Sequence, residues 1–194
     1  MQSSPLDERL RQLESDLLAR PPRISAYSEL PCALFRYDPD AEWEFRRELQ
    51  KLVTRLGNGG RRVQMVSLAD FVWRAIEEAE GLSPIVQLEV SEGWDAAQRQ
   101  VNVYLSDPDF LCLPRALADH LAQSESRADL AFLWRATALS PGMYFLSKLL
   151  DELKGRLSIP TILFYPGVFD EHGLRFMGLR DRETTMNYRV KVYD

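Results

Sequence analysis

Ile162-Leu163-Phe164-Tyr165-Pro166-Gly167, followed after a short polar gap by Leu174-Arg175-Phe176-Met177-Gly178, is the stretch that decides the fold. An apolar run that ends abruptly in Pro-Gly reads as a buried strand delivered into a turn. The next run, rich in aromatic and aliphatic residues, reads as a second strand. Upstream, Tyr144 to Leu157 has helical spacing and Leu130 to Thr137 reads as a strand. Val63 to Ser67 is a further strand, followed by helical spacing from Leu68 to Glu80. Near the start, Pro31 to Tyr37 contains the apolar run Cys32-Ala33-Leu34-Phe35. At the end, Tyr188, Val190 and Val192 alternate with Arg189, Lys191 and Tyr193.

Strands separated by helices imply βαβ crossovers and an α/β fold with a mainly parallel sheet covered on both faces. The closing strands, joined by short turns, are expected as antiparallel additions at the C-terminal edge. At 194 residues the chain is expected to form a single domain, 1–194, with a helix and loop over 1–30 and a helical insertion over 83–122. Leu6, Leu10, Leu13 and Leu17 give the first helix its apolar stripe, and Pro21-Pro22 ends it. Asp38 can cap a second helix with Pro39 in its first position, where the missing N–H is harmless. Trp43, Leu49, Val53 and Leu56 form its expected inward stripe, and Gly57-Asn58-Gly59-Gly60 stops it. The insertion reads as two or three helices, interrupted at Gly93, Asp107-Pro108 and Pro114.

Composition narrows the function. A hydrophobic share of 45% and a charged share of 27% are those of an ordinary globular protein. The net charge of −5 argues against a dedicated nucleic-acid binder, which needs a basic face. Cys32 and Cys112 stand far apart in apolar surroundings and read as buried free thiols. There is no secretion-type leader and no apolar run of membrane-spanning length, so a cytoplasmic protein is expected.

Ligands of open α/β sheets bind beyond the carboxyl ends of the strands. The first such loop carries Asp38, Asp40, Glu42 and Glu44, which repel phosphate where a nucleotide site needs glycines and a lysine. Ser140-Pro141-Gly142 lies at the correct edge but lacks a following Lys-Ser/Thr. The acids near Asp38 could hold Mg²⁺, yet a cap plus dipole-favoured carboxylates explains them. Glu152-Leu153-Lys154 has the Glu-x-Lys pattern of some nucleases but falls in a helical run. His120 and His172 have no partner at metal-ligand spacing and read as surface residues. No catalytic, cofactor or metal residue is therefore assigned. Trp43, Trp73 and Trp134 sit in apolar-periodic positions and read as core, whereas Trp94 follows polar Ser91-Glu92-Gly93 and reads as a candidate interface anchor. Tyr165 is a second candidate, its ring closing the core while its hydroxyl reaches the carboxyl edge. For Gly167, a positive φ is expected.

The chain resembles the BrxB family of bacteriophage exclusion (BREX) systems. The resemblance rests on Leu149-Leu150, Pro160, Ile162 to Gly167, Leu174-Arg175-Phe176 and Asn187-Tyr188-Arg189, with an echo in Leu6-Asp7-Glu8-Arg9 and Phe35-Arg36-Tyr37-Asp38-Pro39. It departs from the family at Ala138 to Gly142 and at Ser147-Lys148, where members carry a glycine-containing loop and a Ser-His pair. Members work beside an ATPase, a methyltransferase and the alkaline-phosphatase-like protein PglZ. The resemblance thus implies a non-enzymatic accessory subunit that needs no cofactor and contacts other BREX components, PglZ first. The alternative from the residues alone is a degenerate nucleotide-binding or metal-dependent enzyme, with its site near Asp38, Ser140 and Tyr165.

Overall fold

A computed structural model describes residues 5–24, 31–124, 127–140, 142–171, 173–179 and 190–194. Seven helices and six strands follow one another in an α/β arrangement: α1 (Pro5–Leu18), β1 (Cys32–Tyr37), α2 (Glu42–Asn58), β2 (Val63–Ser67), α3 (Leu68–Ala79), α4 (Leu82–Glu92), α5 (Trp94–Ser106), α6 (Leu113–Ala122), β3 (Leu130–Trp134), α7 (Leu146–Glu152), β4 (Thr161–Asp170), β5 (Gly173–Phe176) and β6 (Lys191–Tyr193). The main sheet runs in the order β2-β3-β4-β1-β6, with every neighbouring pair parallel. Among the described residues only β5 is antiparallel, folding back on the far end of β4. The two closing strands therefore differ. β5 pairs antiparallel as expected, whereas β6 pairs parallel with β1.

Strand alternation sorts side chains into two cores. Cys32 and Leu34 of β1, Ala131 and Leu133 of β3, and Leu163 and Tyr165 of β4 face α3 to α7. Their neighbours Ala33, Phe35, Phe132, Ile162 and Phe164 face α1 and α2. A period of two requires this split, and burial on both faces explains why the strands read as continuous apolar runs. The β1 to β2 crossover runs one way along the sheet and the later crossovers run the other, which places their helices on opposite faces when all are right-handed. On the α1/α2 side the packing is aromatic: Phe164 meets Phe132 edge-on at 5.1 Å and Phe45 at 5.1 Å, and Tyr37 stacks on Phe45 at 4.0 Å. Such pairs add to what burial alone supplies.

The inward stripe of α2 is Phe45, Leu49, Leu52 and Leu56. Trp43, expected on it, is 79% exposed, because it lies two residues, or about 200°, from Phe45 around the helix. Trp73 on α3 is also exposed, for the buried face there is Phe71, Val72, Ala75 and Ile76. Two elements are shorter than their sequence patterns. β3 stops at Trp134, where Arg135 takes a left-handed φ of 57° and a 3-10 turn follows. α7 spans only Leu146 to Glu152. β4 is longer, because it does not turn at Pro166-Gly167 but continues to Asp170. Gly167 is strand backbone and not a positive-φ residue. Between Leu163 and Pro166 the strand has lost β3 on one side, an edge setting in which a proline is tolerated.

The insertion resolves into α4, α5 and α6. Gly81 and Gly93, with φ of 78° and 89°, bound α4 at both ends in a conformation other residues resist. Two polar fastenings complete the frame. At the amino edge, the Arg62 backbone and guanidinium donate to Asp129 at 2.8 and 3.0 Å, holding its carboxyl down to about 2. Between α1 and β6, Asp16 accepts from Lys191 Nζ at 2.5 Å and from the Tyr193 hydroxyl at 2.8 Å. Burial raises the Asp16 pKa, but these bonds outweigh it and leave it lowered. Cys32 is buried and Cys112 half-buried, and both are free.

Candidate functional site

The carboxyl edge is where ligands enter sheets of this kind, and here each strand end brings a definite side chain. Asp38, after β1, accepts from the Asp40 backbone N–H at 3.0 Å and caps the 3-10 turn Pro39–Ala41 that leads into α2. Its carboxylate acts as the cap that its position before Pro39 implies. Ser67, ending β2, caps α3 through the Asp70 N–H and donates its hydroxyl proton to the Asp70 carboxylate at 2.9 Å. Arg135 reaches the same pair at 3.4 and 3.3 Å. Ser140 follows the 3-10 turn after β3, its N–H bonded to the Thr137 carbonyl at 3.0 Å.

The first turn of α2 adds an ordered relay. The Tyr37 hydroxyl donates to Glu42, which also accepts from Arg46 at 2.6 Å. Burial, followed by the Glu42 carboxylate, raises the Tyr37 pKa, so the phenol stays protonated. The Arg46 guanidinium then lies 4.9 Å from the Trp43 ring centroid and 5.8 Å from that of Trp134. Cation–π contact of this kind holds an exposed indole in place. On the other side of the edge, Arg36 and Arg9 both meet Asp194, Arg9 at 3.7 Å. Arg46 and Arg135 thus face Glu42 and Asp70, while Arg36 and Arg9 share Asp194, so the rim's arginines are largely paired. Above β4 the edge is filled by the β4–β5 hairpin, where the Gly167 carbonyl accepts from Arg36 at 3.4 Å.

Tyr165 is 1% exposed and packs edge-on against Phe176 at 5.4 Å, inside the α3–α7 core. Trp94 is 51% exposed at the turn between α4 and α5. The structure therefore does not bring these two candidates together. Glu152 lies at the end of α7, accepting from the Tyr144 hydroxyl at 2.8 Å, and Lys154 pairs with Asp151, so neither is on a strand. His120 is exposed, bonded to Gln64 at 2.9 Å, and His172 lies outside the described residues. Among the described residues no cluster of three or more His, Cys, Asp or Glu is placed to hold a metal ion, and no helix is long and apolar enough to cross a membrane.

What sequence reading missed is the surface. Besides Trp94, large apolar side chains are exposed at Trp43, Trp73, Val86, Val90 and Phe169. Leu82 joins Val86 and Val90 at a spacing of four on α4, and that spacing was the available signal. No curated protein and no solved structure matches the chain. A family model described as BREX protein BrxB matches residues 64–192, from the second residue of β2 to the middle of β6. With about two-thirds of its length so matched, the chain belongs to the BrxB family and is a component of a BREX phage-defence system.

Proposed function

We propose that the protein is a non-enzymatic accessory subunit, acting in the cytoplasm through protein–protein contacts, with the PglZ-type component as its first partner. BREX membership supplies the other components. The observation that carries the contact reading is the exposure of large side chains, Trp43 at 79% and Val90 at 83%, which a monomer gains nothing by leaving in water. Tryptophan in particular is enriched where interfaces concentrate their energy. The rim supports the same reading, since its arginines are already engaged with Glu42, Asp70 and Asp194 and do not form a free anion site.

The test is co-purification of the tagged chain from a host expressing the whole operon, followed by pairwise reconstitution with the PglZ-type protein. Co-elution of the pair is the expected result. A chain that runs alone while the remaining components assemble without it refutes the subunit reading.

A further inference from the structure

The outer layer of the insertion carries two properties that belong together. α4 buries only Ile85 and packs chiefly on α5. Leu82, Val86 and Val90, 48%, 47% and 83% exposed, form a stripe along its outward side. At a rise of 1.5 Å per residue the stripe is about 12 Å long. It ends at the turn where Gly93 breaks the helix and Trp94 stands exposed. Around it the charge has one sign. From Glu80 to Asp95, which is α4 with its two flanking turns, the chain carries four carboxylates, Glu80, Glu89, Glu92 and Asp95, and no basic residue. All four are exposed. The whole chain has a net charge of only −5, so this short segment holds most of the excess negative charge.

We infer that the stripe Leu82-Val86-Val90 with Trp94 is a docking surface for another BREX component, one that presents an apolar ridge flanked by lysines or arginines. This rests on the accessory-subunit reading and adds the place and the chemistry of the contact. An apolar centre within a charged rim is the general anatomy of a specific interface. The rim's sign selects the partner, because like charges brought together oppose association and opposite charges steer it. A second copy would set one acidic layer against another. Nucleic acid and an anionic lipid surface would be repelled in the same way.

The experiment compares the native chain with Val86→Lys/Val90→Lys, tagged and expressed with the whole operon. These side chains are exposed, so the melting temperature should not change, while the captured component falls about tenfold or more. Glu89→Lys/Glu92→Lys keeps the stripe, reverses part of the rim, and should weaken capture while reducing its salt sensitivity. It also serves if the first variant fails to fold. Undiminished capture by both variants overturns the surface and leaves the subunit reading intact. Loss of capture on Trp43→Ala with none on the α4 variants would likewise overturn it, in favour of the carboxyl edge. A native chain that forms a dimer, dissociated by Val86→Lys/Val90→Lys, replaces the basic partner with a second copy. No capture by the native chain sinks both readings.

Discussion

Gly167→Ala is the sharpest test of how the hairpin is built. A Cβ at this position would fall on the edge of the Tyr165 ring and 2.8 Å from the Arg175 carbonyl oxygen. Neither neighbour can retreat cheaply. The ring is 1% exposed and wedged against Phe176, and the carbonyl belongs to β5, whose register with β4 is fixed from Gly167↔Phe176 to Asp170↔Gly173. Inserting a methyl into such packing costs about 1–3 kcal/mol. For a domain of this size each kcal/mol shifts the melting temperature by about 2–4 °C, so a drop of roughly 2–12 °C is expected by calorimetry. Urea titration should move the midpoint without changing the slope. If backbone conformation were the reason, Gly167→Asn would be milder than Gly167→Ala, since asparagine tolerates positive φ. On steric grounds Asn is at least as damaging. Gly167→Ala should also cost less in a Tyr165→Leu background, because neighbours that clash couple. An unchanged melting temperature, or Asn milder than Ala, would refute the steric account.

Two further outcomes follow from the polar and sulfur chemistry. Asp129 has its folded pKa near 2, below its unfolded value of about 4. Its pairing with Arg62 therefore contributes stability above about pH 4, and loses it as the pH falls toward 2. The melting-temperature gap between the native chain and Asp129→Asn should be constant above about pH 5 and close near pH 2. A gap independent of pH would be the wrong result. Burial pushes the Cys32 thiol up to about 12, so a thiol reagent at neutral pH should titrate Cys112 alone in the native chain and both cysteines after unfolding. Rapid modification of Cys32 in the native state would contradict its place in the core.

The α/β class was legible because doubly covered strands leave continuous apolar runs, and the runs at Cys32 to Phe35, Leu130 to Trp134 and Ile162 to Tyr165 all became sheet. Helix orientation was less legible. Trp43 is as hydrophobic as Phe45, and only the phase set by Leu49, Leu52 and Leu56 separates the face they bury from the one they expose. Pro166-Gly167 looked like an exit because proline and glycine punctuate chains. What lets the strand continue is β5 returning along it, a pairing no local pattern encodes. Asp38 was readable as a cap since that bond is local, two residues long. The Arg46 stack between Trp43 and Trp134 was not, since it joins residues far apart in sequence.

The position of β1 has a consequence for how the chain assembles during synthesis. Both its sheet neighbours, β4 and β6, are made more than a hundred residues later. At about 5–20 residues per second, β1 leaves the ribosome roughly 6–25 seconds before its first partner exists. Through that interval Cys32-Ala33-Leu34-Phe35 has two open hydrogen-bonding edges, with α1 and α2 available for one face and α3 to α7 emerging only later for the other. β2 and β3 can pair with each other meanwhile, but the two halves of the sheet join only when β4 arrives between them. The order of translation thus makes the last third of the chain the keystone, and a ribosome stalled before Thr161 would leave behind an open, adhesive half-sheet.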